Sequence, residues 1–103
     1  MFSEFDFLSG EVRWMDTEPQ EDMLQVNYSN NYILDMGWYE SINSYVIYII
    51  KDFEWCVPVA KYSASTVENM KILLHRAIEK IESESSKGKS YYGALWKTEV
   101  KTL

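Results

Sequence analysis

Residues 32–50 read YILDMGWYESINSYVIYII, and this stretch decides the fold. Tyr32, Leu34, Met36 and Trp38 alternate with Ile33, Asp35, Gly37 and Tyr39, the period of two that a strand requires. Glu40 to Ser44 is a turn. Tyr45 to Ile50 is apolar on both faces and rich in β-branched and aromatic residues, so it should be a central strand. Two strands joined by so short a connection pair as antiparallel neighbours.

Toward the N-terminus, Ser29-Asn30-Asn31 is turn chemistry, because asparagine tolerates left-handed backbone angles. Leu24, Val26 and Tyr28 alternate with Gln25 and Asn27, which predicts a strand over Met23 to Tyr28. Thr17 to Asp22 is polar, contains Pro19 and reads as a loop. Leu8 to Thr17 supplies a first strand, with Val12 and Trp14 on one side and Arg13 on the other. Toward the C-terminus, Lys51 to Glu54 closes the central strand. Trp55 to Tyr62 resumes as a further strand interrupted by Pro58, hence an edge strand or one entered late.

The helix follows from a second period. Ser65-Thr66-Val67-Glu68 matches a capping box in which Ser65 accepts from the Glu68 amide. Val67, Met70, Leu73, Leu74, Ala77, Ile78 and Ile81 then form one apolar stripe. Lys71, His75, Glu79 and Glu82 fall on the opposite side. The helix should end near Glu84, before the polar run Ser85 to Lys89. Tyr91, Tyr92, Leu95 and Trp96 are too apolar to dangle, so Tyr91 to Val100 should dock, as a last strand in preference to a helix. The expectation is a single α+β domain over residues 1–103. An antiparallel sheet of about four to six strands, mostly within 8–62, carries one long helix (65–84) on one face, with a docked tail at 90–103.

Composition limits what such a domain can do. The chain has 103 residues, 47% of them hydrophobic, which is ample for one core and excludes a disordered acidic tail. The lone Cys56 excludes an intramolecular disulfide and a multi-cysteine zinc site. No run approaches the roughly 18 uncharged apolar residues of a membrane span. The start MFSEFDFLSG lacks the basic residues of a signal peptide, so a cytoplasmic protein is expected. The net charge of −6 and a pI of 4.7 repel phosphate and disfavour direct nucleic-acid binding.

Charge is also uneven along the chain. Residues 1–55 hold eleven acids against Arg13 and Lys51, which makes −9, whereas residues 56–103 hold five acids and eight bases, which makes +3. Aromatic residues reach 16%. Several are interleaved with acids, as in Phe5-Asp6-Phe7, Trp38-Tyr39-Glu40 and Asp52-Phe53-Glu54-Trp55. Solvation explains scattered surface acids, but acids set among tyrosine and tryptophan also suit a basic protein partner.

Catalytic machinery is not legible. His75 is the only histidine and reads as a solvated helix residue, since no nucleophile or substrate group is designated for it. Cys56 lacks an accompanying base and reads as a small buried or half-buried filler. Glu18 to Asp22 lacks calcium-loop spacing, and the scattered glycines form no phosphate cradle. Gly37 fits a bulge or a close backbone approach. No cofactor, no metal and no enzymatic activity are expected.

The order Asp35-Met-Gly-Trp-Tyr39, an apolar strand, an acidic-aromatic turn with Trp55 and Pro58, and an amphipathic helix resembles small bacterial immunity proteins. These are the antidotes of polymorphic toxin and contact-dependent growth inhibition systems, and the resemblance covers residues 32–84. It implies a cytoplasmic protein that binds and neutralises a cognate toxin domain, commonly a nuclease. The charge pattern offers Asp16, Glu18, Glu21, Asp22, Glu40, Asp52 and Glu54 as partner-binding acids. Trp38, Tyr39 and Trp55 are the aromatic candidates, although burial is the expected fate of the two tryptophans. The alternative is a non-catalytic structural or regulatory interaction module that acts as a homo-oligomer.

Overall fold

A computed structural model describes residues 5–86 and 98–103. Its strands are β1 (Glu11–Met15), β2 (Leu24–Asn27), β3 (Tyr32–Tyr39), β4 (Ser44–Lys51), β5 (Ala60–Ala64) and β6 (Glu99–Thr102), with one helix, α1 (Val67–Ser86), between the last two. All six strands form one sheet in the order β1-β2-β3-β4-β5-β6. The class is α+β, with one long helix in the C-terminal half packed on one face. Neighbours from β1 to β5 are antiparallel, as expected of a meander.

The sixth strand departs from that plan. β6 pairs with β5 in parallel, Ala60 facing Glu99 and Ser63 facing Thr102. A parallel neighbour requires a crossover, and α1 lies within it. β5 is therefore not an edge strand. It is entered late instead: Trp55 to Pro58 lie outside any strand, and pairing resumes only after Pro58, with the Val59 amide donating to Ile49. The expected tail strand is met at Glu99 and Val100, while Tyr91, Tyr92, Leu95 and Trp96 and the expected linker Lys87 to Lys89 lie outside the described residues.

The alternation in β3 sorts its side chains between two environments. Tyr32, Leu34 and Met36 face the helix beside Leu24 and Val26 of β2, Ile47 and Ile49 of β4, and Ala60 and Tyr62 of β5. Met70, Leu73, Leu74, Ala77, Ile78 and Ile81 of α1 close this core, and all six are at most 3% exposed. Burying the five larger of these side chains contributes about 1.5–3 kcal/mol each, so this stripe sets the position of the helix. The helix packs mainly over β5 and β4. Phe5 and Phe7 are buried in the same core, the Phe5 ring centred 4.5 Å from that of His75.

Helix capping is shifted by one residue from expectation. The Asn69 amide donates to Thr66 Oγ1 at 3.1 Å, so Thr66 is the cap and α1 begins at Val67. The helix runs to Ser86, two residues beyond Glu84. Because chain order is also sheet order, the acidic first half of the sequence becomes the β1–β4 side of the sheet.

Candidate functional site

The β3–β4 hairpin turn and the β1–β2 loop lie at the same end of the sheet, since Met15 faces Leu24, Leu24 faces Met36, and Tyr39 faces Ser44. This is the hairpin end of the sheet. Its loop, residues 16–23, is fixed by main-chain bonds. The Asp16 amide donates to the Met23 carbonyl, the Met23 amide to Met36, and the Trp38 amide to Gln20 at 2.7 Å. Asp16 organises the loop from within, its carboxylate accepting from the Glu18 amide at 3.0 Å and from Gln20 Nε2 at 2.6 Å. Where the loop crosses β3, the Glu21 carbonyl oxygen lies 1.9 Å from the place a Cβ at Gly37 would take. Gly37 is thus a site of close backbone approach.

Seven of the ten expected partner-binding residues gather at this end: Asp16, Glu18, Glu21, Asp22, Trp38, Tyr39 and Glu40. The five acids are exposed. Trp38 is half-buried against Tyr45, ring centroids 4.8 Å apart, and its Nε1 donates to the Glu40 carboxylate at 2.9 Å. Tyr39 is half-buried on the opposite face of the sheet. Burial pushes its hydroxyl above the usual tyrosine range, and the charges of Tyr48, Asp35, Glu21 and Asp22 add to that rise. Among the described residues none of the five acids forms an ion pair.

The other three lie elsewhere. Asp52, Glu54 and Trp55 sit in the β4–β5 loop at the far end, separated from the hairpin turn by the length of β4, about 24 Å at 3.4 Å per residue. Asp52 pairs with Lys51 at 3.6 Å and accepts from Asn31 Nδ2, so its charge is engaged locally. Trp55 is 48% exposed and Cys56 is exposed, against the expectation of burial for both. The physical reason is the loop itself: Asp52 and Phe53 take left-handed backbone angles, and no strand forms from Trp55 to Pro58. Phe53 and Val57 are exposed beside Trp55.

Two features escaped the sequence reading. Asp35 is half-buried on the face of β3 away from the helix, directly opposite Tyr48 on β4 and Gln25 on β2. Burial pushes its carboxyl above the usual range, a hydrogen bond from Gln25 Nε2 at 3.3 Å opposes this, and Asp22 adds to it. The alternation in residues 32–39 already placed Asp35 and Tyr39 on one face, but the neighbour Tyr48 requires the register. The second feature is β1, whose five residues are all exposed. Its pairing shifts between Val12 and Trp14, which leaves Arg13 as a bulge and sets Val12 opposite Val26 and Trp14 opposite Gln25. Val12 and Trp14 therefore face opposite sides, contrary to simple alternation.

His75 is exposed on the helix, as its place in the period implied. Among the described residues no group of three or more His, Cys, Asp or Glu side chains converges as metal ligands do. No described helix is long and apolar enough to cross a membrane. Comparison with protein families, curated proteins and solved structures yields no match to this chain.

Proposed function

We propose that this chain is an immunity protein that binds and neutralises a cognate bacterial toxin domain in the cytoplasm, with a basic nuclease as the target. One observation carries the reading. Asp16, Glu18, Glu21 and Asp22, on a loop whose backbone is tied to β3, crowd the hairpin end together with Glu40 of the β3–β4 turn, with no compensating ion pair among the described residues. A fixed acidic surface attracts a basic partner at long range and loses little freedom on docking. Nuclease domains hold nucleic acid through basic surfaces, and an acidic inhibitor competes by offering carboxylates where phosphates would sit. Half-buried Trp38 and Tyr39 then provide aromatic anchoring at the same end.

The test is co-expression with the toxin domain encoded beside this chain's gene. Growth should be rescued and a stable complex recovered. A toxin that remains active and unbound with this chain in excess would overturn the proposal.

The second reading, a homo-oligomer joined at sheet edges, draws on exposed β1. The Arg13 bulge and the charged Glu11 and Arg13 weigh against it, because bulges and charges are devices that blunt strand edges. A monomer by light scattering would remove it.

A further inference from the structure

We propose that the β4–β5 loop inserts Phe53, Trp55 and Val57 into an apolar pocket of the partner protein, with a lysine or arginine at the pocket's rim meeting Glu54. This rests on the proposed function in taking the partner to be a basic protein. It goes beyond that reading in placing the anchoring contact at the opposite end of the sheet from the acidic hairpin end.

For the fold alone, Phe53 is a poor choice. It takes a left-handed backbone angle, φ 61°, where a bulky residue is strained and glycine would not be. Its ring is 65% exposed, so core packing does not offset that strain. Asp52 is left-handed as well, but it serves the fold: its amide donates to the Asn31 carbonyl and its carboxylate accepts from Asn31 Nδ2. Trp55 and Val57 follow Phe53 at alternate positions and are 48% and 55% exposed. Backbone strain spent on displaying large apolar side chains to water is the mark of a recognition segment.

The display is fixed. The Glu54 amide donates to the Lys51 carbonyl at 3.1 Å, the Trp55 amide to Phe53 at 3.0 Å, and the Val57 amide to Glu54 at 3.2 Å. At the base of the loop, Thr98 Oγ1 donates to the Pro58 carbonyl and the Val59 amide to Ile49. A backbone already bonded in this way loses little freedom on docking.

Charge and area select the occupant. Glu54 is exposed and enters no ion pair among the described residues, so a cation on the partner would complement it. Two copies meeting loop to loop would oppose their Glu54 carboxylates, in chains that each carry −6. The two rings expose on the order of 100 Å² each, whereas a stable pair of flat surfaces needs about 800 Å² from each partner. Asp52 and Glu54 also repel anionic lipid headgroups. A concave apolar site on a basic protein avoids all three objections, because a pocket wraps the side chains it receives, and tryptophan is a favoured anchor in such pockets.

The test separates recognition from folding. Phe53→Gly should melt no lower than wild type, since glycine adopts the left-handed angle without strain. β-Cyclodextrin, an apolar cavity, and amino-β-cyclodextrin, the same cavity with ammonium groups at its rim, serve as toxin-independent probes titrated into the full chain by NMR. Shifts should centre on Phe53, Trp55 and Val57, and the amino form should bind about threefold more tightly. Glu54→Gln should remove that preference and Glu18→Gln should keep it. Against the toxin domain encoded beside this chain's gene, Phe53→Gly and Trp55→Ser should each weaken binding at least about tenfold. Shifts centred on Trp14, a preference untouched by Glu54→Gln, or a Phe53→Gly melt well below wild type would overturn the proposal. So would a dimer that Trp55→Ser dissolves, or cosedimentation of the wild-type chain with phosphatidylcholine vesicles. Toxin binding unchanged in both loop variants would overturn the anchor and leave the proposed function standing. A toxin domain that ignores the wild-type chain would instead overturn the proposed function, and with it the anchor's partner.

Discussion

The Glu21 carbonyl oxygen lies 1.9 Å from the position a Cβ at Gly37 would occupy, and the Glu21 carbonyl carbon lies 2.5 Å from it. Loop and strand are in a contact that only glycine permits. Both obstructing atoms are backbone, so no side-chain rotation can relieve the clash.

Gly37→Ala should therefore move the loop rather than be absorbed locally. The hydrogen bonds from the Trp38 amide to the Gln20 carbonyl and from the Met23 amide to the Met36 carbonyl are the first at risk. A destabilisation of about 1–3 kcal/mol in urea unfolding is expected, the usual range for forcing atoms into a packed site. A variant as stable as wild type, with unchanged exchange at the Trp38 amide, would show that the loop does not hold this position.

The cap offers a sharper contrast within one dipeptide. Thr66→Ala should cost about 1 kcal/mol, because Thr66 Oγ1 accepts the Asn69 amide. Ser65→Ala should change stability by less than about 0.5 kcal/mol, as for an exposed site without a special role. Thermal melts of the two single variants, run side by side, decide between the frames.

That one-residue shift illustrates which features the sequence made legible. β3, β4 and the apolar stripe of α1 repeat over eight or more residues, and burying them leaves one workable orientation for each. Local chemistry was less decisive. Ser65 and Thr66 both can cap, and only the final approach of the chain to the helix selects one. Parallel β6 was hidden because pairing direction depends on where α1 delivers the chain, which no local pattern records. Trp55 is exposed for a similar reason: a tryptophan between Glu54 and Cys56 reads as strand, yet left-handed Asp52 and Phe53 turn the chain out of the sheet. Of the candidate site, Asp16 to Asp22, Trp38, Tyr39 and Glu40 could be named from charge and composition. Their separation from Asp52, Glu54 and Trp55 required the register of β4.

Glu99 provides a pH-dependent tie between β6 and the helix. It accepts from the Tyr62 hydroxyl and pairs with Arg76 at 3.2 Å and Lys80 at 3.6 Å. Burial alone would raise its carboxyl, but Tyr62, Lys80 and Arg76 together outweigh that and hold it below the usual range. The folded group thus keeps its charge to lower pH than the unfolded one. Its stabilisation is complete above the unfolded pKa of about 4.3 and is lost as pH falls through the folded value. Glu99→Gln should lower stability at neutral pH by about 1 kcal/mol or less, since solvent screens these partly exposed pairs. The difference from wild type should shrink in acid below about pH 4. Urea midpoints measured across that interval would show a constant offset if the charge plays no part.

Steering by the hairpin end can be separated from folding only if Asp16 is left alone. Its carboxylate holds the Glu18 amide and the Gln20 side chain, so reversing it would disorder the loop as well as change its charge. Glu18, Glu21 and Asp22 are exposed, and none of their side chains forms an ion pair among the described residues. Replacing these three by lysine should slow association with the proposed basic partner strongly at low ionic strength. Near 1 M salt, where the screening length is about 3 Å, the variant and wild type should converge. Dissociation rates should change less than association rates, because charges at a rim govern encounter more than residence. A rate loss of the same size at both ionic strengths would mean that these carboxylates make direct contacts, and that the field of the acidic half does not guide the approach.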